Sequence, residues 1–157
     1  MSRLMQVVPV VLLLVILGIL LSQMAEVITA QPPQTRPVHA TSPLCRSGAP
    51  LAGVYNPWRL RVVDSCITVT GHIVRVARMA DGDYHIDVKL DAPFAGLVNR
   101  RNVSKQGGSL VTEIVPVDQT GIATPHVGDH IEVTGVYVLD KLHGWMEIHP
   151  VWGLKVV

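Results

Sequence analysis

Two pairs of acidic and histidine side chains are the residues of this chain best suited to chemistry. Each pair lies in sequence with a β-strand pattern, the first being His85 with Asp87 and the second Glu147 with His149. Because residues two apart in a strand share a face, each pair can present its side chains together. Two imidazoles and two carboxylates suit zinc or another divalent transition metal. These four residues are therefore the predicted ligand or metal site, provided that the two pairs converge.

Four neighbouring residues are secondary candidates for the same site: Asp81, Asp83, His143 and Trp145. The two aspartates and His143 lie at predicted loop ends, where they could complete a metal shell, and Asp83 and His143 could also act as acid or base. Trp145 could stack on a sugar or a base, although aromatic residues more often cover the mouth of a small barrel. None of these spacings is a strong metal motif such as a helical HExxH.

A purely structural interpretation is available for both segments. Asp81-Gly82-Asp83 is what a tight turn between strands requires, because Asp tolerates left-handed conformations and Gly supplies a positive φ. In the second segment, His149 could bond a backbone carbonyl, and Glu147 could pair with an arginine of the first strand. The pattern alone does not decide between these roles and a ligand site.

The elements that would position these residues are β-strands. From residue 66 onward, β-branched runs alternate with turn residues, and no helical periodicity appears. The pattern predicts five strands, at 67–77, 84–90, 110–115, 131–139 and 146–157. Apolar residues alternate along the second strand, so His85 and Asp87 should point away from the interior. A change of phase near Gly71 indicates a bulge or sharp bend in the first strand.

Two of the predicted strands carry the same Val-Thr-Gly motif, at 69–71 and 133–135. This pairing resembles OB-fold proteins, whose five strands close a small Greek-key barrel in which the first strand pairs with the second and the fourth. A helix usually lies between strands three and four of that fold. Here Gly121 and Pro125 predict that it is short or absent. The OB fold hosts many functions, so the resemblance implies an architecture and no activity.

A narrower resemblance depends on the two chemically suited segments themselves. The Asp-Gly-Asp-x-His turn at 81–85 and the Glu-Ile-His-Pro-Val sequence at 147–151 are similar to those of uncharacterised secreted or membrane-anchored bacterial and archaeal proteins. That resemblance implies export and no established activity. The turn also resembles that of staphylococcal-type nucleases, but Tyr84 replaces their Thr and their other acidic and arginine positions have no match. Nuclease activity is therefore disfavoured.

The N-terminus carries the features of an export signal. Arg3 precedes an apolar run of fifteen residues, 7–21, which covers roughly 22 Å as a helix and needs flanking residues to cross a ~30 Å hydrocarbon core. Residues 1–30 are thus predicted to be a cleaved signal peptide or a hydrophobic anchor helix contacting the membrane through residues 4–25. Residues 31–43 form a proline-rich linker. Residues 44–157 form the extracytoplasmic domain under either interpretation.

The two cysteines, Cys45 and Cys66, both fall in the exported part of the chain. In an oxidising compartment an even count favours a disulfide, and the alternative is two separate buried thiols. The Cα separation decides between them, because pairs beyond ~7 Å cannot be bridged.

Charge argues against a nucleic-acid partner. The chain has 13 Lys and Arg and 12 Asp and Glu. Without Arg3, Arg36 and Glu26, residues 41–157 carry eleven of each. A sequence-independent nucleic-acid binder gains most of its affinity by neutralising phosphates, which a neutral domain does poorly.

Three functional hypotheses follow. The first is a non-enzymatic OB-type module, secreted or anchored, that binds an envelope protein or glycan and needs no cofactor. The second is a metal-binding protein or metal-dependent hydrolase that uses a divalent ion such as zinc at His85, Asp87, Glu147 and His149. The third is a structural subunit of an extracellular assembly joined through exposed strand edges. Nucleophile-elbow, phosphate-loop, dinucleotide and CxxC motifs are missing from the sequence, which disfavours the enzyme classes built on them.

Overall fold

Five β-strands form the framework of residues 42–157, the part of the chain that the computed structural model describes. Their bounds are Leu60–Arg78 (β1), Tyr84–Leu90 (β2), Leu110–Ile114 (β3), His130–Asp140 (β4) and Met146–Val156 (β5). The helices are short: 3-10 helices at Pro57–Arg59, Ala92–Leu97 and Pro116–Asp118, and one α-helix, α1, at Arg100–Lys105. The prediction of an all-β domain with five strands is confirmed.

The predicted N-terminal features are not part of this description. The signal peptide or anchor assigned to residues 1–30 lies outside the described residues, as does the linker up to residue 41. Between residues 42 and 157, no helix is both long and apolar enough to cross a membrane.

The five strands close on themselves in the order β1-β2-β3-β5-β4. All neighbouring strands are antiparallel except β3 and β5, which run parallel. β1 is long enough to pair with β2 through its second half and with β4 along most of its length. Between β3 and β4 the chain forms only the 3-10 helix Pro116–Asp118, which agrees with the expectation of a short or missing helix.

Two elements differ from the sequence prediction. β1 begins at Leu60 rather than at residue 67, because its first residues pair with the end of β4 despite their mixed polarity. The connection between the predicted second and third strands contains α1, which begins with a capping box. The Asn99 side chain accepts from the backbone N–H of Asn102, and the Asn102 side chain accepts from the backbone N–H of Asn99. Capping thus provides a helix start that apolar periodicity did not reveal.

The barrel interior is filled by the apolar faces of all five strands, including Ile73, Val88, Ile114, Val133 and Ile148. Gly71 lies where β1 passes very close to β2, and a Cβ there would clash with the carbonyl oxygen of Lys89. The register of β1 against β2 shifts just beyond, between Ile73 and Arg75. The predicted irregularity near Gly71 is therefore present, and close strand approach explains the glycine.

The predicted disulfide is confirmed. Cys45 and Cys66 are bonded, and their Cα atoms lie 5.8 Å apart. The bridge ties the segment that precedes the barrel to β1, beside a second apolar cluster that contains Val136, Val138 and Trp152. On the chain-entropy model a loop of this size contributes about 3 kcal/mol.

Gly71→Ala tests whether the close approach of β1 to β2 requires a glycine at position 71. We expect the substitution to lower the free energy of unfolding by about 1–3 kcal/mol, since backbone must shift to admit the methyl group. Urea denaturation measures the change. Gly96→Ala is the matched control, because a Cβ at Gly96 meets no atom within 4 Å. Equal stability of the two variants would contradict the packing argument.

Candidate functional site

The fold brings the two predicted pairs together through a strand that lies between them. β3 pairs with β2 on one side, placing Glu113 opposite His85, and with β5 on the other, placing Val111 beside Glu147. The polar side chains on the outer face of these three strands form what we call the His/carboxylate network: Asp83, His85, Asp87, Glu113, Glu147 and His149. As expected, they lie opposite the apolar interior. They are nevertheless all buried.

His85 is held by carboxylates on both ring nitrogens. Its Nδ1 lies 3.1 Å from Oε1 of Glu113, and its Nε2 lies 3.0 Å from Oδ1 of Asp87. The other oxygen of Asp87 lies 3.5 Å from Nη1 of the exposed Arg75. Burial by itself lowers the pKa of His85, but the bonds to Asp87 and Glu113 outweigh burial and raise the pKa to about 9.

His149 lies at the centre of the network. Its Nδ1 is 3.0 Å from Oε2 of Glu113 and 3.4 Å from Oε2 of Glu147. Its Nε2 faces Asp83, 3.4 Å from Oδ2, without forming a hydrogen bond. Burial lowers the pKa of this imidazole, but the neighbouring carboxylates of Asp83, Glu147 and Glu113 outweigh burial and raise the pKa to about 10. Glu113 thus joins the two histidines, one through each of its oxygens.

Two buried atoms of the network have no hydrogen-bond partner among residues 42–157. They are Oδ1 of Asp83, a residue 2% exposed, and Nε2 of His149, a residue 4% exposed. A buried polar atom left unpaired costs about 1–3 kcal/mol, so each one needs an explanation. Both atoms belong to residues that, with Glu113, bring three ligand atoms within 4.8 Å of one another. Ligand atoms around tetrahedral zinc are roughly 3.4 Å apart, so a modest contraction would close the shell.

The surroundings of His149 match those of a metal-bound histidine. Such a ring usually donates its second N–H to a carboxylate, which fixes its orientation. Here Nδ1 hydrogen-bonds Glu147, which can orient the ring, while Nε2 is left facing Asp83. Glu147 is itself fully buried, and its Oε1 accepts a hydrogen bond from Nε1 of Trp145. Burial, together with the like charge of Glu113, raises the pKa of Glu147.

His143 belongs to a neighbouring arrangement rather than to the network. Its Nδ1 lies 2.6 Å from Oδ2 of Asp140, which also forms an ion pair with Arg59. The His143 ring stacks on Trp145 with centroids 4.2 Å apart. Asp140, His143 and Glu147 also place ligand atoms within 4.8 Å of one another. Because Arg59 already neutralises Asp140, this second grouping is the weaker candidate for a cation.

The residues of the Asp-Gly-Asp segment have two roles. Asp81 and Gly82 form the turn, and Asp83 belongs to the network. Gly82 has a φ of 95°, and its N–H bonds the carbonyl of Met79, so the predicted tight turn is present. The exposed Asp81 accepts from the backbone N–H of Asp83 and lies outside the network. Asp83 instead turns its side chain toward His149.

The structural roles considered for the second pair are not those observed. His149 contacts carboxylates rather than a backbone carbonyl, and Arg75 pairs with Asp87 rather than with Glu147. The residue that sequence reasoning missed is Glu113, which connects the two pairs. Its signal was a single charged residue within β3, whose other residues are apolar except for Thr112.

Comparison with known proteins adds no assignment. No protein-family model matches this chain. A search of the curated proteins also finds no match. The function must therefore be argued from the residues and geometry of the chain itself.

The raised pKa values predict how stability depends on pH in metal-free protein. Because the folded state holds the protons of His85 and His149 more tightly than the unfolded chain, their contribution is complete below pH ~6.5. It is lost as pH rises through about 9 and 10, the folded-state pKa values. Urea denaturation of EDTA-treated protein at pH 6 to 10 should therefore show falling stability. His149→Gln should flatten that fall, and an unchanged slope would contradict the assignment of the proton to this ring.

Proposed function

We propose that this chain is an exported, non-enzymatic OB-type module that binds a divalent transition metal ion at Asp83, Glu113 and His149. The OB assignment is supported by the closed strand order and by the pairing of β1 with both β2 and β4. The two Val-Thr-Gly motifs also lie side by side, with Val69 opposite Val133. Export is supported by the disulfide, since such bonds persist in oxidising compartments.

The observation that carries the metal assignment is the pair of unsatisfied buried atoms, Oδ1 of Asp83 and Nε2 of His149. Both are ligand atoms by chemistry, and they belong to residues that face each other. A cation between these two atoms would bind their lone pairs, which accept no hydrogen bond from residues 42–157. Oxygen and imidazole ligands together suit zinc and its late first-row neighbours better than calcium or magnesium.

The charge balance of the network supports the same assignment. Four carboxylates, those of Asp83, Asp87, Glu113 and Glu147, are buried beside two imidazoles. Only Asp87 has an arginine within 4.0 Å among the described residues, and that arginine is half exposed. Buried charges are stable only when they are paired or bind metals. A divalent cation would offset two of the carboxylates, with His149 as a neutral ligand and His85 still protonated between Asp87 and Glu113.

Burial distinguishes metal binding from metal-dependent hydrolysis. A catalytic metal keeps one coordination position open for water or substrate, whereas a structural metal is enclosed. Asp83, Glu113 and His149 are 2%, 7% and 4% exposed, which leaves little room for a substrate to approach. The geometry therefore favours a held ion over a hydrolase centre. It also lends little support to assembly through free strand edges, because each described strand already has two partners.

Metal analysis of the full chain, purified in detergent, tests the proposal. Removal of metal with EDTA followed by titration with Zn²⁺ should show about one equivalent bound at the network. Asp83→Asn and His149→Gln should each weaken that binding at least tenfold, since second-shell changes alone cost 10–100-fold. At 100 Kd, bound Zn²⁺ should add about 2.7 kcal/mol to the stability of the wild-type chain.

Asp81→Asn is the matched control for this experiment. Asp81 lies in the same turn as Asp83 but is exposed and outside the network. Its replacement should leave Zn²⁺ affinity unchanged. Loss of binding to the same extent in the Asp81 and Asp83 variants, or no Zn²⁺ binding by the wild-type chain, would refute the proposal.

A further inference from the structure

A further cluster of histidine and aspartate side chains lies just after the C-terminal end of β2. Asp83 and His85 of the network lie at the opposite end of that strand. His72 in β1 and His130 at the start of β4 are direct cross-strand partners. Asp91 immediately follows β2, and its backbone N–H bonds the carbonyl of Thr70. Directly opposed residues on antiparallel strands have Cβ atoms about 4.5–5.5 Å apart, so this register sets the two imidazoles side by side.

The three side chains lie close together, and His130 contacts both of the others. The rings of His72 and His130 have centroids 4.4 Å apart and are tilted by 31°. Nε2 of His130 lies 2.9 Å from Oδ2 of Asp91. One ligand atom from each of the three residues falls within 4.8 Å of the other two.

A neighbouring hydrogen bond fixes the orientation of the Asp91 carboxylate. The hydroxyl of Thr70 donates to Oδ2 of Asp91 and so fixes its orientation, as neighbouring groups commonly do for carboxylates that bind metals. Lys89, the other cross-strand neighbour of His72, directs its ammonium to the carbonyl of Gly107. The His72 ring forms no hydrogen bond to any residue in the 42–157 range, so its nitrogens are available to a ligand.

We propose that His72, Asp91 and His130 form a second, solvent-accessible site for a divalent late transition metal ion. Two imidazoles and one carboxylate are the ligand set that such ions accept while keeping further positions for water. His72 is exposed, and the side chains of His130 and Asp91 are about one third exposed, so ions can enter and leave directly. This inference is independent of the network, since the two clusters share no residue.

Titration of the Asp83→Asn full chain with Zn²⁺ isolates this site, because the network has then lost a ligand. We expect about one equivalent of Zn²⁺ to remain bound. Adding His72→Gln or Asp91→Asn to that chain should weaken the remaining binding at least tenfold. If Asp83→Asn fails to fold, the same substitutions in the wild-type chain should remove one of two equivalents.

His126→Gln is the matched control, since the His126 side chain lies in the adjoining loop, is 89% exposed and belongs to neither cluster. It should leave the titration unchanged. Cu²⁺ provides a second readout, because its electron paramagnetic resonance spectrum should report two imidazole nitrogens in the Asp83→Asn chain and one after His72→Gln. Equal effects of the His72 and His126 changes, or a Cu²⁺ spectrum without two imidazoles, would overturn the proposal.

Discussion

The bridging carboxylate of Glu113 is the interaction on which the rest of the site depends. Each of its oxygens contacts a histidine, His85 from β2 and His149 from β5, so one side chain links strands from both sides of β3. The cluster is buried, which makes every charge in it costly unless it is paired. Burial raises the pKa of Glu113, and the two histidines and Arg59 reverse that effect and hold the pKa below its usual range. Removing this carboxylate would leave two imidazoles facing fewer acceptors and would separate the two halves of the network.

That arrangement needs β3 and β5 to run side by side in one register, and Asn102 of α1 supplies the connection. Its buried amide donates to the carbonyl of Ser109, just before β3, and to the carbonyl of Met146, at the start of β5. Its oxygen accepts from the N–H of Met146. One side chain therefore fixes the starts of both parallel strands, which have few ladder pairs of their own. The register that follows places Glu113 and Glu147 on the same outer face. A helix of six residues thus positions a site to which it contributes no ligand.

The parts of this structure that sequence could predict are the local ones. Alternating apolar residues and turn chemistry identified the strands, and the spacing of His85 with Asp87 and of Glu147 with His149 identified shared faces. The convergence of those pairs depends on how β3 aligns with two strands that are distant in sequence, and no local pattern encodes that register. Glu113 was missed for this reason. The early start of β1 was missed because Arg61 and Asp64 interrupt the alternation, and α1 was missed because its capping box depends on two asparagines rather than on an apolar period.

The network and the cluster of His72, Asp91 and His130 contain the same kinds of side chain but differ in their exposure to water. This difference predicts different ion affinities and exchange rates. In the network, ordered carboxylates and imidazoles are already desolvated, so an ion that enters gains strong Coulombic interactions and loses most of its hydration. Such an ion should exchange slowly and act as part of the fold. At His72, Asp91 and His130, water still reaches the ligands, so the proposed ion would keep part of its hydration, bind more weakly and exchange faster. Under both proposals, the barrel would retain one ion as part of its structure and would exchange the other with its surroundings. One proposed site lies on the outer face of β2, β3 and β5, and the other lies beyond the far end of β2. Because the sites are separate, a substitution in one would change ion retention or ion exchange without changing the other.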